Sequence, residues 1–552
     1  MSLELLPNEL LIECLKYLST FEMLHIFYPL NIRFQSLIYS FQLNMSFHDI
    51  DQLKFDSLCL LLSSNTELQQ RIHSLQLSNE NFCQIHLFLS KFSFTDFSNL
   101  QSLTLIQIAE HNLSDLSLEL PCILSQLSSF HLADSQYNMD INNILLTIES
   151  SRLRALTIPK LFIRNQPVCN ITCLQYLTIF DCNSSQLHFI LNYSYQLKYL
   201  KVKHILQDYQ FNGEPMQTTT NLKSLVIDNY TDDLFNLEPI FRRIPNLECL
   251  NISARDVLVI EASQWQNWIV NFLSNLKIFR FQLHFRDQQL MNNIEYLFNE
   301  FQNDFWLKER QWYTEYLLAD SYGLIYSIPY FLNSFRIQDS KSRFSSKLMK
   351  NSDKYSNIHQ LEIIADLWMD ENDYYFSNID LLEFSYEYPI SVQSLKDYIN
   401  LNHVKQLKLN ADDKINSSFL LNLLKHAPNI STLSIHIHLV MSLLNNDELC
   451  FYLNTMIKKL HLIQSSVAAI SNLSTISKLW QTFSNVEYLN YTYKLQDSLI
   501  SILQFLPKIS RIDAHTDNIL ECFCEQQFNL SIIIDNKEEQ FGWNPVFIWI
   551  IR

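Results

Sequence analysis

The chain has 552 residues, 47% hydrophobic and 18% charged, the balance of a folded protein. That length exceeds what one compact core supports, so several domains or an extended repeat array are expected. Asp and Glu number 57 against 40 Lys and Arg, a formal charge of −17, which argues against nucleic acid or anionic lipid as the main partner. Glycine occurs three times, at Gly213, Gly323 and Gly542. Phosphate-cradling loops, dinucleotide fingerprints and nucleophile elbows need clustered glycines, so the standard versions of each are excluded. The opening Met-Ser-Leu-Glu-Leu-Leu-Pro-Asn-Glu carries acids where a secretory signal carries lysines. No apolar run approaches the roughly 20 residues of a membrane span. The 11 cysteines are scattered singly, as reduced thiols are. The expectation is a cytoplasmic or nuclear protein without membrane contact.

Residues 3–38 read as three short helices. In the first, Pro7 starts a helix whose apolar residues Leu10, Leu11, Cys14, Leu15 and Leu18 follow helical spacing. Ser19-Thr20 can cap a second, with Glu22 in its first turn and Met23, Leu24, Ile26 and Phe27 apolar. A third follows Leu30-Asn31, with Phe34, Leu37 and Ile38. So much apolar surface cannot be buried within so short a segment, which therefore needs a partner surface.

From residue 72 onward one hexad recurs: apolar, two variable, apolar, one variable, apolar. It starts at Ile72, Leu100, Leu127, Leu153, Leu174, Leu197, Leu222, Leu247 and Leu276, then at Ile358, Ile379, Val404, Ile430, Ile457, Val486 and Ile509. Both stretches keep a step of about 25 residues, the period of a stacked repeat. Helical segments that end at Pro245, Pro428 and Pro507 precede three of the hexads, and proline stops a helix and extends the residue before it. Each unit is thus a helix, a stop and a strand. Between the stretches, residues 285–357 break the rhythm. They hold Phe305-Trp306, Trp312-Tyr313 and Leu324–Tyr330, which read as β-rich, and Phe331–Ile337 fits a degenerate unit. The polar, Ser- and Lys-rich stretch 338–357 is expected to be a loop.

The fifth residue of each hexad lies between two inward apolar residues and so points to the opposite face of its strand. This column reads Gln76, Thr104, His131, Thr157, Thr178, Lys201, Val226, Asn251, Arg280, Glu362, Glu383, Lys408, Ser434, His461, Asn490 and Asp513. Val226 is its one apolar member. Stacked at about 4.8 Å, sixteen strands present a face roughly 75 Å long, which suits a protein or peptide better than a metabolite. Within it Lys201, Asn251, Arg280, Glu362, Glu383, Lys408 and His461 are the candidate target contacts.

Other clusters lead to blander expectations. His436 and His438 put two imidazoles on one face of a strand, without the further ligands that zinc needs. Cys522 and Cys524, and Cys169 and Cys173, lack the second half of a zinc module. Asp370–Asp373 has no glycine turn or distal Glu for calcium. Trp265, Trp268, Trp306 and Trp312 suit a core better than a binding patch. No catalytic constellation stands out, and no cofactor or metal is expected.

Two resemblances follow from these residues. The repeating unit, roughly residues 70–535, resembles the leucine-rich repeat, an α/β solenoid with one strand and one helix per unit. That family places a buried Asn or Cys three residues past the strand hexad, where this chain has Cys182 but then Ile205, Tyr230, Arg255 and His284. The N-terminal Leu6-Pro7, Glu9-Leu10-Leu11, Leu15…Leu18, Glu22-Met23-Leu24 and Leu30-Asn31-x-Arg33-Phe34…Leu37-Ile38 resemble the F-box, which docks substrate receptors on the adaptor of Skp–cullin–F-box ubiquitin ligases. The family usually has Trp where this chain has Phe34. By that resemblance Leu6, Pro7, Leu10, Leu15, Leu24, Leu30, Arg33 and Phe34 supply adaptor-facing and packing contacts. The division implied is 1–45 F-box, 46–70 linker and capping helix, 71–284 first array, 285–357 insertion, and 358–552 second array with a C-terminal cap. The function implied is a non-catalytic receptor, monomeric apart from its ligase complex, binding an adaptor, through it a cullin–RING ligase, and a protein target. The alternative is a leucine-rich-repeat scaffold with no ubiquitination role.

Overall fold

The computed structural model describes residues 3–48, 50–80, 82–108, 113–133, 152–160, 173–206, 220–255, 261–337, 340–346, 351–364, 375–385, 391–410, 415–463, 473–494, 504–516, 531–536 and 544–551. The chain divides into two compact units, Met1–Cys249 with Phe272–Leu276 and Leu250–Asn271 with Lys277–Arg552.

In the first unit, strands β1 (Leu43–Ser46), β2 (Ile72–Ser78), β3 (Ser102–Ile106), β4 (Ser129–Ala133), β5 (Ala155–Lys160), β6 (Tyr176–Asn183), β7 (Tyr199–Leu206) and β8 (Ser224–Tyr230) are hydrogen-bonded in chain order. Every pairing is parallel. Parallel neighbours need a crossover, and the local sequence supplies one. Between β6 and β7, Asn183 caps helix Ser184–Tyr193 by accepting from Gln186 N, while the Gln186 side chain accepts from Asn183 N, both at 2.9 Å. That reciprocal pair satisfies two backbone donors and starts the helix. Its Leu187, Ile190 and Leu191 then turn inward and are buried. In each hexad the first, fourth and sixth residues form the core, as Leu100, Leu103 and Leu105 or Leu197, Leu200 and Val202 do. Each such side chain stabilises the fold by about 1.5–3 kcal/mol.

Register is set just ahead of each strand. The Gln101 carbonyl accepts from Ser128 N (2.7 Å) and Ser129 N (3.0 Å), and the Ser128 carbonyl then accepts from Arg154 N (2.8 Å) and Ala155 N (3.0 Å). The pattern repeats at Arg154, Gln175 and Lys198. Three residues past the hexad, at the position that the leucine-rich family fills with Asn or Cys, the strands are still paired and hold buried Cys182, Ile205 and Tyr230 in successive repeats. The Tyr230 hydroxyl donates to Asp233 O at 2.8 Å, bracing the turn from a larger side chain.

The second unit holds β9 (Cys249–Arg255, all but its first residue), β10 (Ile278–Phe285), β11 (Tyr313–Ala319), β12 (Gly323–Ile328) and β14 (Ser340–Ser345), hydrogen-bonded in the order β9-β10-β12-β11-β14. The three pairings from β10 through β14 are antiparallel. Gly323 faces Phe285, and a Cβ there would lie 2.3 Å from the ring, so a larger residue would force the buried Phe285 ring to move. Trp265 and Trp306 are buried against Phe279, Trp306 also against Phe301, and Trp268 is buried against Trp265, which makes all three core; Trp312 is half-buried at its edge.

A second sheet in this unit begins with β13 (Ser334–Ile337), the degenerate repeat, which pairs parallel with β15 (Gln360–Ile363). It continues in parallel through β16 (Leu381–Phe384), β17 (Gln406–Leu409), β18 (Thr432–His436), β19 (Lys459–Ile463), β20 (Tyr488–Lys494) and β21 (Arg511–Thr516). It ends antiparallel with β23 (Asn544–Ile551) and β22 (Ser531–Asn536). All sixteen hexads contain a strand.

The loop expected over 338–357 is corrected. Part of it is β14, paired with β11, and part is helix Asn351–Lys354. The reason is a buried charge. The Lys354 ammonium pairs with the fully buried Glu315 carboxylate, which also accepts from Tyr326 Oη (2.5 Å) and Tyr355 Oη (3.3 Å). Removing one partner of a buried pair costs about 3–5 kcal/mol, because the survivor stays uncompensated. Lys354→Met should therefore lower stability by about that amount in urea unfolding. The double variant Glu315→Gln, Lys354→Met should recover most of it. Equal stability of single and double variants would show that the pair does not hold this segment.

Candidate docking face and strand face

The N-terminal segment is built as two-sided helices. Leu3–Leu5 forms a 3-10 turn, Pro7 holds the N-cap position extended (ψ 152), and the helix runs Asn8–Leu15. Ser19 and Glu22 form a capping box: Ser19 N donates to Glu22 Oε2 (2.7 Å) and Glu22 N to Ser19 Oγ (3.2 Å). The hydrogen bonds from Ser19 hold the Glu22 carboxyl below its ordinary value. The chain then widens into a π turn, Met23–Phe27, and Asn31 caps helix Ile32–Ile38 by accepting from Phe34 N (3.1 Å).

Arg33 organises the segment. Its guanidinium donates to Glu4 O (2.5 Å), Leu6 O (2.6 Å) and Asn8 Oδ1 (2.9 Å), clamping residues 4–8 to the third helix. Asn31 Nδ2 adds a bond to Glu4 Oε1 (2.8 Å). The eight residues singled out by the F-box resemblance divide accordingly. Leu15, Leu24 and Phe34 are buried and pack internally. Pro7, Leu10 and Leu30 are exposed, and Leu6 and Arg33 are half-buried. Phe34 packs against Phe27, centroids 5.4 Å apart, in a site where an indole N–H would need a partner.

Seven of the eighteen large apolar side chains exposed among the described residues lie between Leu3 and Ile32: Leu3, Leu5, Leu10, Tyr17, Ile26, Leu30 and Ile32. Leu5, Tyr17 and Ile32 are 77%, 88% and 78% exposed. Spacing identifies these helices as amphipathic but does not separate the two apolar faces. The opposite face is mounted on the first repeats. Asn44 N of β1 donates to the buried Thr20 hydroxyl (3.2 Å). Tyr28 and Tyr39 share a hydrogen bond (2.7 Å), and Asn65, which caps the next helix, donates to both hydroxyls.

On the strand face the column keeps register. Gln76 pairs with Thr104, Thr104 with His131, His131 with Thr157, Thr157 with Thr178, Thr178 with Lys201 and Lys201 with Val226. In the second unit Arg336 pairs with Glu362, then Glu383, Lys408, Ser434, His461, Asn490 and Asp513 follow in turn. Lys201, Asn251, Arg280, Glu362, Glu383, Lys408 and His461 are all half-buried. Several are engaged sideways: Lys201 with Asp228 (2.9 Å), Glu362 with Arg336 (2.8 Å), Glu383 with Lys408 (2.9 Å). Burial depresses the His461 imidazole, with Lys459 and Arg511 adding to the effect and Asp513 opposing it.

A ladder that the post-strand position does not supply stands ahead of the strands. Asn99 Nδ2 donates to Gln70 O (2.7 Å), Asn275 to Pro245 O (3.1 Å), Asn378 to Ser356 O (2.8 Å), Asn429 to Asn402 O (2.7 Å) and Asn485 to Asn454 O (3.2 Å). Each asparagine immediately precedes a hexad.

His436 and His438 do not share a strand face. The strand ends at His436, which precedes helix Ile437–Leu443, and the rings are 5.5 Å apart. No group of three metal-ligating side chains occurs among the described residues. Cys169, Cys522, Cys524 and Asp370–Asp373 lie outside them. No helix among the described residues is long and apolar enough to cross a membrane. No family model matches the chain, and no curated protein matches it.

The histidine sets a sign. Burial makes the His461 imidazole harder to protonate in the folded chain than in the unfolded chain, which takes up a proton below about pH 6.5. Stability is therefore full above that value and falls as pH drops below it. The urea midpoint of the native chain should fall between pH 7.5 and 5.5, and less steeply in His461→Asn. Parallel pH profiles would show that burial of this ring does not contribute.

Proposed function

We propose that the chain is a non-catalytic substrate-recognition subunit of a Skp–cullin–F-box type ubiquitin ligase. In this reading its N-terminal helices bind the adaptor and its strand face binds a protein target. The observation that supports it most is the row of exposed apolar side chains on helices whose other face is already buried. A concentration of exposed apolar side chains in so short a segment is the mark of an interaction site. A private cap on the array needs only the face that carries Leu15, Leu24 and Phe34. The surplus face, Leu5, Leu10 and Leu30 among it, is what an adaptor would cover. Such a receptor makes and breaks no bonds. It raises the effective concentration of target lysines beside a ubiquitin-loaded enzyme.

Co-expression with a Skp-type adaptor tests the reading. Interface anchors typically contribute 2 kcal/mol or more, about thirty-fold in dissociation constant. Leu5→Glu with Leu10→Glu should abolish co-purification while leaving the melting temperature nearly unchanged, because exposed substitutions cost within about 0.5 kcal/mol. Leu15→Ala, by contrast, should lower the melting temperature, since cavity creation costs about 2–5 kcal/mol. Absence of a stoichiometric complex with the native chain at micromolar concentration removes the docking reading. A complex that never ubiquitinates a co-purified target leaves the scaffold alternative.

On the strand face, Lys408→Glu sets an acid against Glu383 and changes the charge offered to a target. It should weaken target capture in a pull-down while the adaptor complex persists. Unchanged capture would place the target contacts away from the column.

A further inference from the structure

The second unit carries a cavity of about 350 Å³ on its strand face, lined by residues of β9, β10 and β12 on one side and β13, β15 and β16 on the other. That volume falls in the range of small-ligand sites. We propose that it binds a small oxyanion group, a phosphate or a carboxylate, held at Arg255.

The charges of the lining argue for this sign of ligand. Its two acids are satisfied within the protein. Glu362 is paired with Arg336 (2.8 Å) and accepts from Ser385 Oγ (2.9 Å). Glu383 is paired with Lys408 (2.9 Å) and accepts from Asn410 Nδ2 (2.5 Å). Neither carboxylate is left to attract a cation. Arg255 stands apart: it lines the cavity, is exposed, and makes no ion pair among the described residues.

The wall beside it is prearranged. The buried Tyr330 hydroxyl donates to Gln282 Oε1 (2.9 Å), which fixes the amide with its NH2 turned away from Tyr330. Burial pushes the Tyr330 phenol up, and the Arg255 charge acts against that, so the guanidinium is electrically close to this wall. A guanidinium fork matches two oxygens of one carboxylate or phosphate, which an ammonium cannot do. The group could arrive as a free small anion or as a phosphorylated or acidic side chain of a docked protein. The chemistry at Arg255 is the same.

The proposal does not rest on adaptor docking and is tested without an adaptor. The full chain would be titrated by calorimetry at low salt with inorganic phosphate and, separately, with a hexapeptide carrying one phosphoserine. Saturable binding of at least one probe is expected, weakened tenfold or more in Arg255→Glu and in Arg255→Gln, each checked for an unchanged melting temperature. Lys308→Ala, an exposed change in the same unit, should bind as the native chain does. Phosphopeptide binding at least tenfold tighter than phosphate supports a docked side chain as the source, and equal binding supports a free anion. No saturable binding of either probe, or undiminished binding by both folded Arg255 variants, overturns the proposal.

Discussion

A parallel sheet that grows in chain order requires every repeat to return the backbone to the same register, because one residue of slip would exchange the buried and exposed faces of a strand. The shared carbonyls at Gln101, Ser128, Arg154, Gln175 and Lys198 impose that return, each holding two amides of the next repeat. Once they are fixed, the first, fourth and sixth hexad residues must face inward, and apolar residues stand there throughout. The asparagines ahead of the strands act on the same turn from the side chain. Asn429 and Asn485 each tie one repeat to a backbone carbonyl of the repeat before it. Cross-strand pairs such as Lys408–Glu383 follow from the same register, since it brings side chains of neighbouring repeats alongside one another.

The N-terminal segment obeys a different constraint. Its helices are too short to be stable in isolation, and they are held by capping groups and by the Arg33 clamp rather than by helix length. That clamp explains why an apolar-rich segment keeps part of its surface outward. With residues 4–8 tied to the third helix through backbone carbonyls, Leu5 cannot turn into the core beside Leu15 and Phe34. The exposed start of the segment is thus held by polar bonds.

Much of this was legible in the sequence, and the reason is periodicity. A hexad repeated at a constant step marks each strand, and alternation within it marks the outward column, whose register from Gln76 to Val226 and from Glu362 to Asp513 follows directly. Ser19 and Glu22 were legible as a cap because their spacing is local. What was not legible depends on partners distant in sequence. Lys354 in a Ser- and Lys-rich stretch reads as solvated until Glu315, with three strands between them in the chain, is placed against it. The asparagines that precede hexads at 99, 221, 246, 275, 357, 378, 429 and 485 were a visible signal. It went unread because the leucine-rich pattern directs attention to the far end of the strand, where Cys182, Ile205 and Tyr230 are simply buried. The sideways pairing of Lys201 with Asp228 was likewise hidden, since Asp228 sits two residues past the column on the next strand.

The Tyr28–Tyr39–Asn65 knot and the Thr20–Asn44 bond join the helical segment to the first repeats without a hinge. Glycine, the usual joint, occurs nowhere in the first two hundred residues. A molecule gripped by the outer face of these helices would therefore hold the first repeats at a set bearing, like a bracket bolted to a wall. Under the proposed receptor role, reach toward a neighbouring enzyme would then come from the shape of the bracket and from motions of the cargo, and a lysine outside that arc would stay untouched however tightly its owner is bound.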